Sequence, residues 1–247
     1  MDPLTILFED NHLLVVQKPV FMLSQADRTG KPDMISSLQT LIKVRDAKPG
    51  NVFVGLIHRL DQPVGGVMVF AKTSKAAARL SDQFRTHSVA KYYLAVCHGR
   101  VEDKPQWWSD YLSTKTKNGR YQITDREHGR AAHLIVQALA YDASRDVSLI
   151  HIKLLTGRSH QIRLQCQSRQ HPLVGDRRYG ANLPIDLQTP SIALFAERVT
   201  FQHPVKREPC TFSAIPDLPV FQSFAVVNEV AQLRASSERL ADYQNAP

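Results

Sequence analysis

Residues 52–71 read VFVGLIHRLDQPVGGVMVFA. Val52 to Ile57 is an apolar, β-rich run, and Val67 to Ala71 is a second one. Between them, Asp61-Gln62-Pro63 and Gly65-Gly66 carry turn chemistry. The segment therefore reads as a strand, a tight loop and a strand. The first strand delivers His58-Arg59-Leu60-Asp61, and Asp61 stands at the bend. A carboxylate on a tight loop at the end of a buried strand is firmly held and can face a cleft, a common setting for function. The same carboxylate can instead do no more than stabilise the Pro63-Gly65-Gly66 turn through side-chain-to-backbone hydrogen bonds. The tetrapeptide alone leaves both readings open.

Working outward, Leu4 to Phe8 and Leu13 to Val16 read as two short strands around a Glu9-Asp10-Asn11 turn, closed by Lys18-Pro19. Ser24 to Pro32 is a polar loop. Ile35, Leu38, Leu41 and Ile42 have helical spacing within Met34 to Val44. Thr73 or Ser74 caps a helix with Ala77, Leu80 and Phe84 on one face. Tyr92 to Val96 is a strand, Trp107 to Arg130 is polar and interrupted, and Ala131 to Ala140 and Val147 to Leu155 are two longer strands. Gly157 opens a short helix to about Arg169. Leu173 to Gly180 is a loop, Ser191 to Phe201 a strand, and residues 226–243 a C-terminal helix. Strands dominate without β-α-β-α alternation. The expected class is α+β, a mixed, mostly antiparallel sheet with flanking helices and loops, in a single domain over 1–247.

With 247 residues, 43% hydrophobic and 22% charged, the chain can bury a substantial core. No stretch approaches the roughly 18 apolar residues of a membrane span. The first eleven residues carry acids and no basic leader, so no membrane partner and a cytoplasmic location are expected. Cys97, Cys166 and Cys210 are odd in number and widely spaced, which argues for reduced thiols rather than a disulfide framework or a zinc site. Scattered histidines with no His-Glu-x-x-His pattern predict no metal. No dinucleotide fingerprint or phosphate loop is present, so a nucleotide cofactor is not expected either. A formal net charge of +8 favours a polyanionic partner.

Two further stretches carry candidate chemistry. In Thr156-Gly157-Arg158-Ser159-His160-Gln161-Ile162-Arg163, helical spacing sets His160, Arg163 and Gln167 on one face, with Ile162 and Cys166 packing inward. Five arginines fall within 158–178 against one acid, Asp176. An exposed helix start with guanidinium groups suits phosphate binding, although a solvated basic face is the commonplace explanation. In Lys91-Tyr92-Tyr93, neighbouring strand residues point to opposite faces, so one tyrosine can be core while the other stacks on a base. Both can equally be packing residues.

Together these stretches resemble the RluA-type pseudouridine synthase family in content, order and spacing. The resemblance runs through Lys18-Pro19, HRLD (58–61), Lys91-Tyr92-Tyr93, TGRSHQIR (156–163), HPLVGDRRYG (171–180) and FQHP (201–204), and covers roughly residues 4–213. It implies isomerisation of uridine in ribosomal or transfer RNA to pseudouridine, without cofactor or metal, by a monomeric catalytic domain that lacks an S4 RNA-binding domain. By the same resemblance Asp61 is the catalytic carboxylate, attacking C1′ or removing a proton from C2′. Tyr93 stacks on the flipped base, and Arg163 pairs with Asp61. Arg59 fills the space the base vacates. His58, Arg158, His160 and Gln161 line the RNA-facing side. Two positions depart from the pattern. Many relatives carry histidine at the position of Gln165, and Leu-His-Ala where this chain has Leu194-Phe195-Ala196; these departures bear on RNA contacts or packing.

A non-catalytic RNA-binding protein of the same fold is the main alternative, disfavoured by the presence of Asp61, Tyr93 and Arg163 together. A nucleoside or glycoside hydrolase would usually need a second carboxylate as acid, and no motif supplies one.

Overall fold

The strand signals around the 52–71 stretch are the first to be realised in three dimensions, in a computed structural model that describes residues 4–180 and 182–243. In chain order the first elements are β1 (Thr5–Glu9), β2 (Leu13–Lys18), α1 (Met34–Arg45), β3 (Gly55–Leu56), β4 (Gly65–Ala71) and α2 (Ser74–Arg85). There follow β5 (Ala90–His98), β6 (Gln106–Ser113), β7 (Ile123–Thr124), β8 (Gly129–Asp142), β9 (Val147–Leu154), α3 (Gln161–Ser168) and α4 (Pro184–Gln188). The chain closes with β10 (Leu194–Gln202), β11 (Pro209–Ser213), α5 (Pro219–Gln222) and α6 (Val230–Asp242). The class is α+β, and every strand pair with a resolved register is antiparallel. Among the described residues, no helix is long and apolar enough to cross a membrane.

The chain divides into two units, Met1–Ala90 with Ala196–Ala214, and Lys91–Phe195 with Ile215–Pro247. In the first unit, β1 pairs with β2, β2 with β4, and β10 lies next to β4 and pairs with β11. The β1–β2 turn forms because the Asp10 carboxylate accepts from the backbone N–H groups of His12 and Leu13, both at 2.7 Å. Helix α1 starts where Asp33 caps the N–H of Ser36. It buries Met34, Leu38 and Ile42 completely, worth roughly 1.5–3 kcal/mol each. Thr73 caps α2 as its sequence position predicts. Strand β4 is buried along its whole length. At Gly66, with φ +125°, any Cβ would meet the carbonyl oxygen of Ala196 at 2.3 Å, so only glycine lets the two backbones approach.

The second unit is an antiparallel succession β5-β9-β8-β6-β7. Its C-terminal α6 packs against β9 and β8. There the Ser236 hydroxyl lies 2.7 Å from Nδ1 of the fully buried His151.

Several expectations are corrected. The run Val52 to Ile57 pairs only at Gly55–Leu56, because the backbone before it is held by a side chain: Nε2 of Gln39 in α1 donates to the Val52 carbonyl. The polar segment from Trp107 to Arg130 holds most of a strand, β6, whose Trp108 and Leu112 are buried on one face, with Asp110 between them accepting from Gln165. Strand β11 and helix α4 were not foreseen, their stretches being short and proline-bounded. Helix α3 begins at Gln161, not Gly157, and its first turn is buried rather than exposed. His160, placed on a helical face by its spacing, instead sits at φ +55°, outside the helix.

Candidate active site

Asp61 is half-buried at the apex of the loop between β3 and β4. The turn is closed by the Val64 N–H donating to the Asp61 carbonyl at 2.9 Å. Three side chains, each in the first unit, hold this loop. Ser24 is the first: its hydroxyl donates to the Leu60 carbonyl at 2.7 Å and accepts from the Leu60 N–H at 3.1 Å, in a buried setting. His58 is the second. Its Nε2 accepts from the Val69 N–H of β4, and its ring stacks on Phe84 of α2 at 4.7 Å. The third is Lys18, fully buried, whose Nζ donates to the carbonyls of Pro19, Met22 and Gln62. Burial is the larger influence on this ammonium and pushes it down to about 7, opposed by the Asp61 carboxylate. Arg59, by contrast, is exposed.

Replacing Ser24 with alanine strands both polar groups of the Leu60 backbone in an apolar setting. Each unsatisfied group costs about 1–3 kcal/mol. Ser24→Ala is therefore expected to lower unfolding free energy by at least about 2 kcal/mol in urea titrations. A change under about 0.5 kcal/mol would mean that the clamp is dispensable.

In the second unit, Tyr92 and Tyr93 lie on β5, opposite Lys153 and Ile152 of β9. Both are buried, so exposure does not separate them; the Tyr92 ring lies against His151. The TGRSHQIR stretch forms a tight loop running into α3. Gln161 is 2% exposed. Its Oε1 accepts from the Thr156 hydroxyl and the Arg158 N–H, and its Nε2 donates to the His133 carbonyl and to Gln165. These bonds fold residues 156–161 back on themselves, which is why no helix starts at Gly157. His160 is half-buried, its Nδ1 2.8 Å from the Tyr179 hydroxyl, with Tyr121 edge-on to its ring.

Arg163 is buried and bidentate to Asp176. Nε donates to Oδ2 at 2.8 Å and Nη2 to Oδ1 at 2.7 Å. The guanidinium also lies over the Tyr179 ring. Burial pushes the Asp176 carboxyl up, but Arg163 and the backbone N–H groups of Arg178 and Tyr179 outweigh it, and the net effect is downward. This partner was missed from sequence, although Asp176 is the only acid among the five arginines. Ser24 was missed as well, since nothing local marks a serine 36 residues from its partner.

Lys91, half-buried, is pushed down to about 8 by burial and by Arg158. Arg158 is itself lowered by burial and by Arg130. Arg158 Nε donates to the Ala131 carbonyl. Three cations thus share one locality. At the two departures, Gln165 is fully buried and donates to Asp110 and the Ala132 carbonyl, and Phe195 is 3% exposed. Gln165 is thus held by buried hydrogen bonds and Phe195 by packing.

Comparison with known proteins gives a consistent set of similarities. A family model described as RNA pseudouridylate synthase matches residues 12–168. The chain is 31% identical over 230 residues to tRNA pseudouridine synthase C of Haemophilus ducreyi, covering 87% of this chain and 91% of the relative. It is also 31% identical over 214 residues to the dual-specificity RNA pseudouridine synthase RluA of Haemophilus influenzae, covering 87% and 94%. Among solved structures, human RNA pseudouridylate synthase domain containing 1 superposes with a TM-score of 0.72 at 24% identity, covering 95% of this chain and 96% of that one. That last likeness shows the fold alone.

Proposed function

Since the chain belongs to the RluA-type family of RNA pseudouridine synthases, we propose that it isomerises specific uridines of ribosomal or transfer RNA to pseudouridine, with Asp61 as the catalytic carboxylate. Tyr93 and Arg163 act with it, and the two units work as one catalytic domain, in a cytoplasmic monomer that needs neither cofactor nor metal. The reaction breaks the N1–C1′ bond, turns the uracil and joins C5 to C1′; the proton leaves C5 and N1 gains one, so no atoms are gained or lost. The observation that carries the assignment is the family match across both the HRLD loop and the GRSHQIR stretch.

The physical arrangement supports it. A carboxylate acting at C1′ parallels retaining glycoside hydrolysis, but here water must be excluded so that the base rejoins. That demands a loop without slack, and Ser24, His58 and Lys18 supply the restraint. The uridine must be extruded from folded RNA to reach Asp61. In this reading Arg59 fills the vacated space, while Arg158, with Lys91 and Arg130 nearby, meets the phosphate backbone. His58 and Gln161 hold the loops that bear these contacts, and His160 lies beside them. Arg163, its plane set by Asp176, is the cation this reading assigns to the chemistry.

Pseudouridine mapping of total RNA from cells with and without the protein tests this. Discrete sites are expected to vanish in its absence and to return on incubation of that RNA with the purified chain. RNA that is bound but unchanged, or that loses free uracil, would overturn the proposal.

A further inference from the structure

Phe21 occupies a position where local energetics favour a different residue. It lies in the turn after Lys18-Pro19 with φ +65°, the left-handed region, where a bulky side chain is a genuine outlier. Its side chain is 52% exposed, so burial does not offset the conformation. Other non-glycine residues at positive φ among the described ones are small, polar or charged; Phe21 is the only large apolar one. Glycine or asparagine would fit an exposed left-handed position with less strain.

The turn is nonetheless held from several sides. Lys18 Nζ donates to the carbonyls on both flanks of Val20-Phe21, those of Pro19 and Met22. Gln62, the residue after Asp61, donates from Nε2 to the Phe21 carbonyl at 3.0 Å. The same ammonium holds the Gln62 carbonyl. Downstream, the Leu23 N–H bonds to the Pro32 carbonyl and Ser24 clamps Leu60. A solvent-facing aromatic residue thus sits on a strained backbone whose carbonyl is bonded directly to the Asp61 loop. Strain that the surroundings over-determine is a mark of function.

We propose that Phe21 is a base-stacking residue of the RNA-binding face, holding a nucleobase next to the one delivered to Asp61. The proposal rests on the RNA-modifying reading above. An aromatic face stacks on any base, so the residue selects for an unpaired, accessible neighbour rather than for a sequence. It adds no phosphate contact.

The test compares Phe21→Leu, Phe21→Tyr and Phe21→Gly. Leucine keeps size and apolarity but lacks the π face, whereas tyrosine keeps it. Affinity is measured by titrating labelled, unmodified transfer and ribosomal RNA transcripts at several salt concentrations. Phe21→Leu and Phe21→Gly are expected to bind at least about fivefold more weakly, and Phe21→Tyr to bind as the parent does. The salt slope should stay unchanged, because no counterion-releasing contact is lost. At saturating RNA, single-turnover rates should fall less than affinity. Parent-like affinity in Phe21→Leu, or a weakening shared by Phe21→Tyr, overturns the proposal. A parent protein that makes no pseudouridine overturns the function above, and the affinity series still decides the role of Phe21.

Discussion

Asp61→Asn is expected to abolish pseudouridine formation, with a rate loss of at least about 1,000-fold, equivalent to about 4 kcal/mol of barrier. The substitution is nearly isosteric, and the loop's closing bond and its Ser24 and His58 clamps run through groups other than the carboxylate. Its closing bond uses the Asp61 backbone carbonyl, and Ser24 and His58 hold its flanks through Leu60 and Val69. The variant should therefore unfold cooperatively and bind RNA within a few-fold of the parent. Electrostatically, the change removes the charge that opposes the downward push on Lys18, so that ammonium should fall further below its ordinary range. An amide can neither attack C1′ nor take a proton from C2′, so the expected loss is the same for either opening step. Pseudouridine mapping of RNA incubated with Asp61→Asn reads the result. Restoration of the mapped sites at the parent's rate would remove Asp61 from the chemistry and return it to the status of a turn residue.

The bend at Asp61 was legible because its signals are local: two β-rich runs, a proline and paired glycines within twenty residues. Helices α1 and α2 were legible for the same reason, through periodicity and the Thr73 cap. What holds the site was not. Ser24 reaches Leu60, Lys18 reaches Gln62, and Arg163 reaches Asp176, and none of these spacings has a periodic or motif signature. The start of α3 was misread because a side chain, that of Gln161, supplies the acceptor for the Arg158 N–H and keeps residues 157–160 out of the helix. Composition misled at β6, where Ser109 and Asp110 made a strand look like a loop even though Trp108 and Leu112 alternate inward. The candidate site came from motif order; the restraint that holds its carboxylate in place came from contacts distant in sequence.

The second large effect is expected at Arg163, where stability and the proposed chemistry meet in one guanidinium. The Asp176 side chain has no exposed surface, and Arg163 supplies both of its side-chain hydrogen bonds from cations. Removing one partner of a buried pair typically costs about 3–5 kcal/mol, because the remaining charge is desolvated and uncompensated. Arg163→Ala should lose that much in urea unfolding at neutral pH. Arg163→Lys should lose part of it, keeping the charge without the fork geometry. The pH dependence should change sign. In the parent, the folded Asp176 carboxyl is held below its unfolded value near 4, so its contribution is complete above that value and fades as pH falls through the folded one. In Arg163→Ala, burial is no longer outweighed by the guanidinium, and the folded carboxyl should rise above its unfolded value. Stability should then decline as pH climbs from about 4 toward neutrality, where the parent gains or holds. Unfolding titrations across that range decide the matter, and parallel slopes in parent and variant would show that the pair does not govern Asp176. Catalysis gives an independent reading on Arg163→Lys or on Arg163→Ala assayed where it remains folded. Single-turnover rate should collapse while RNA affinity falls much less, because the proposed role of this cation is in the chemistry; an equal fall in both would make Arg163 a phosphate contact instead.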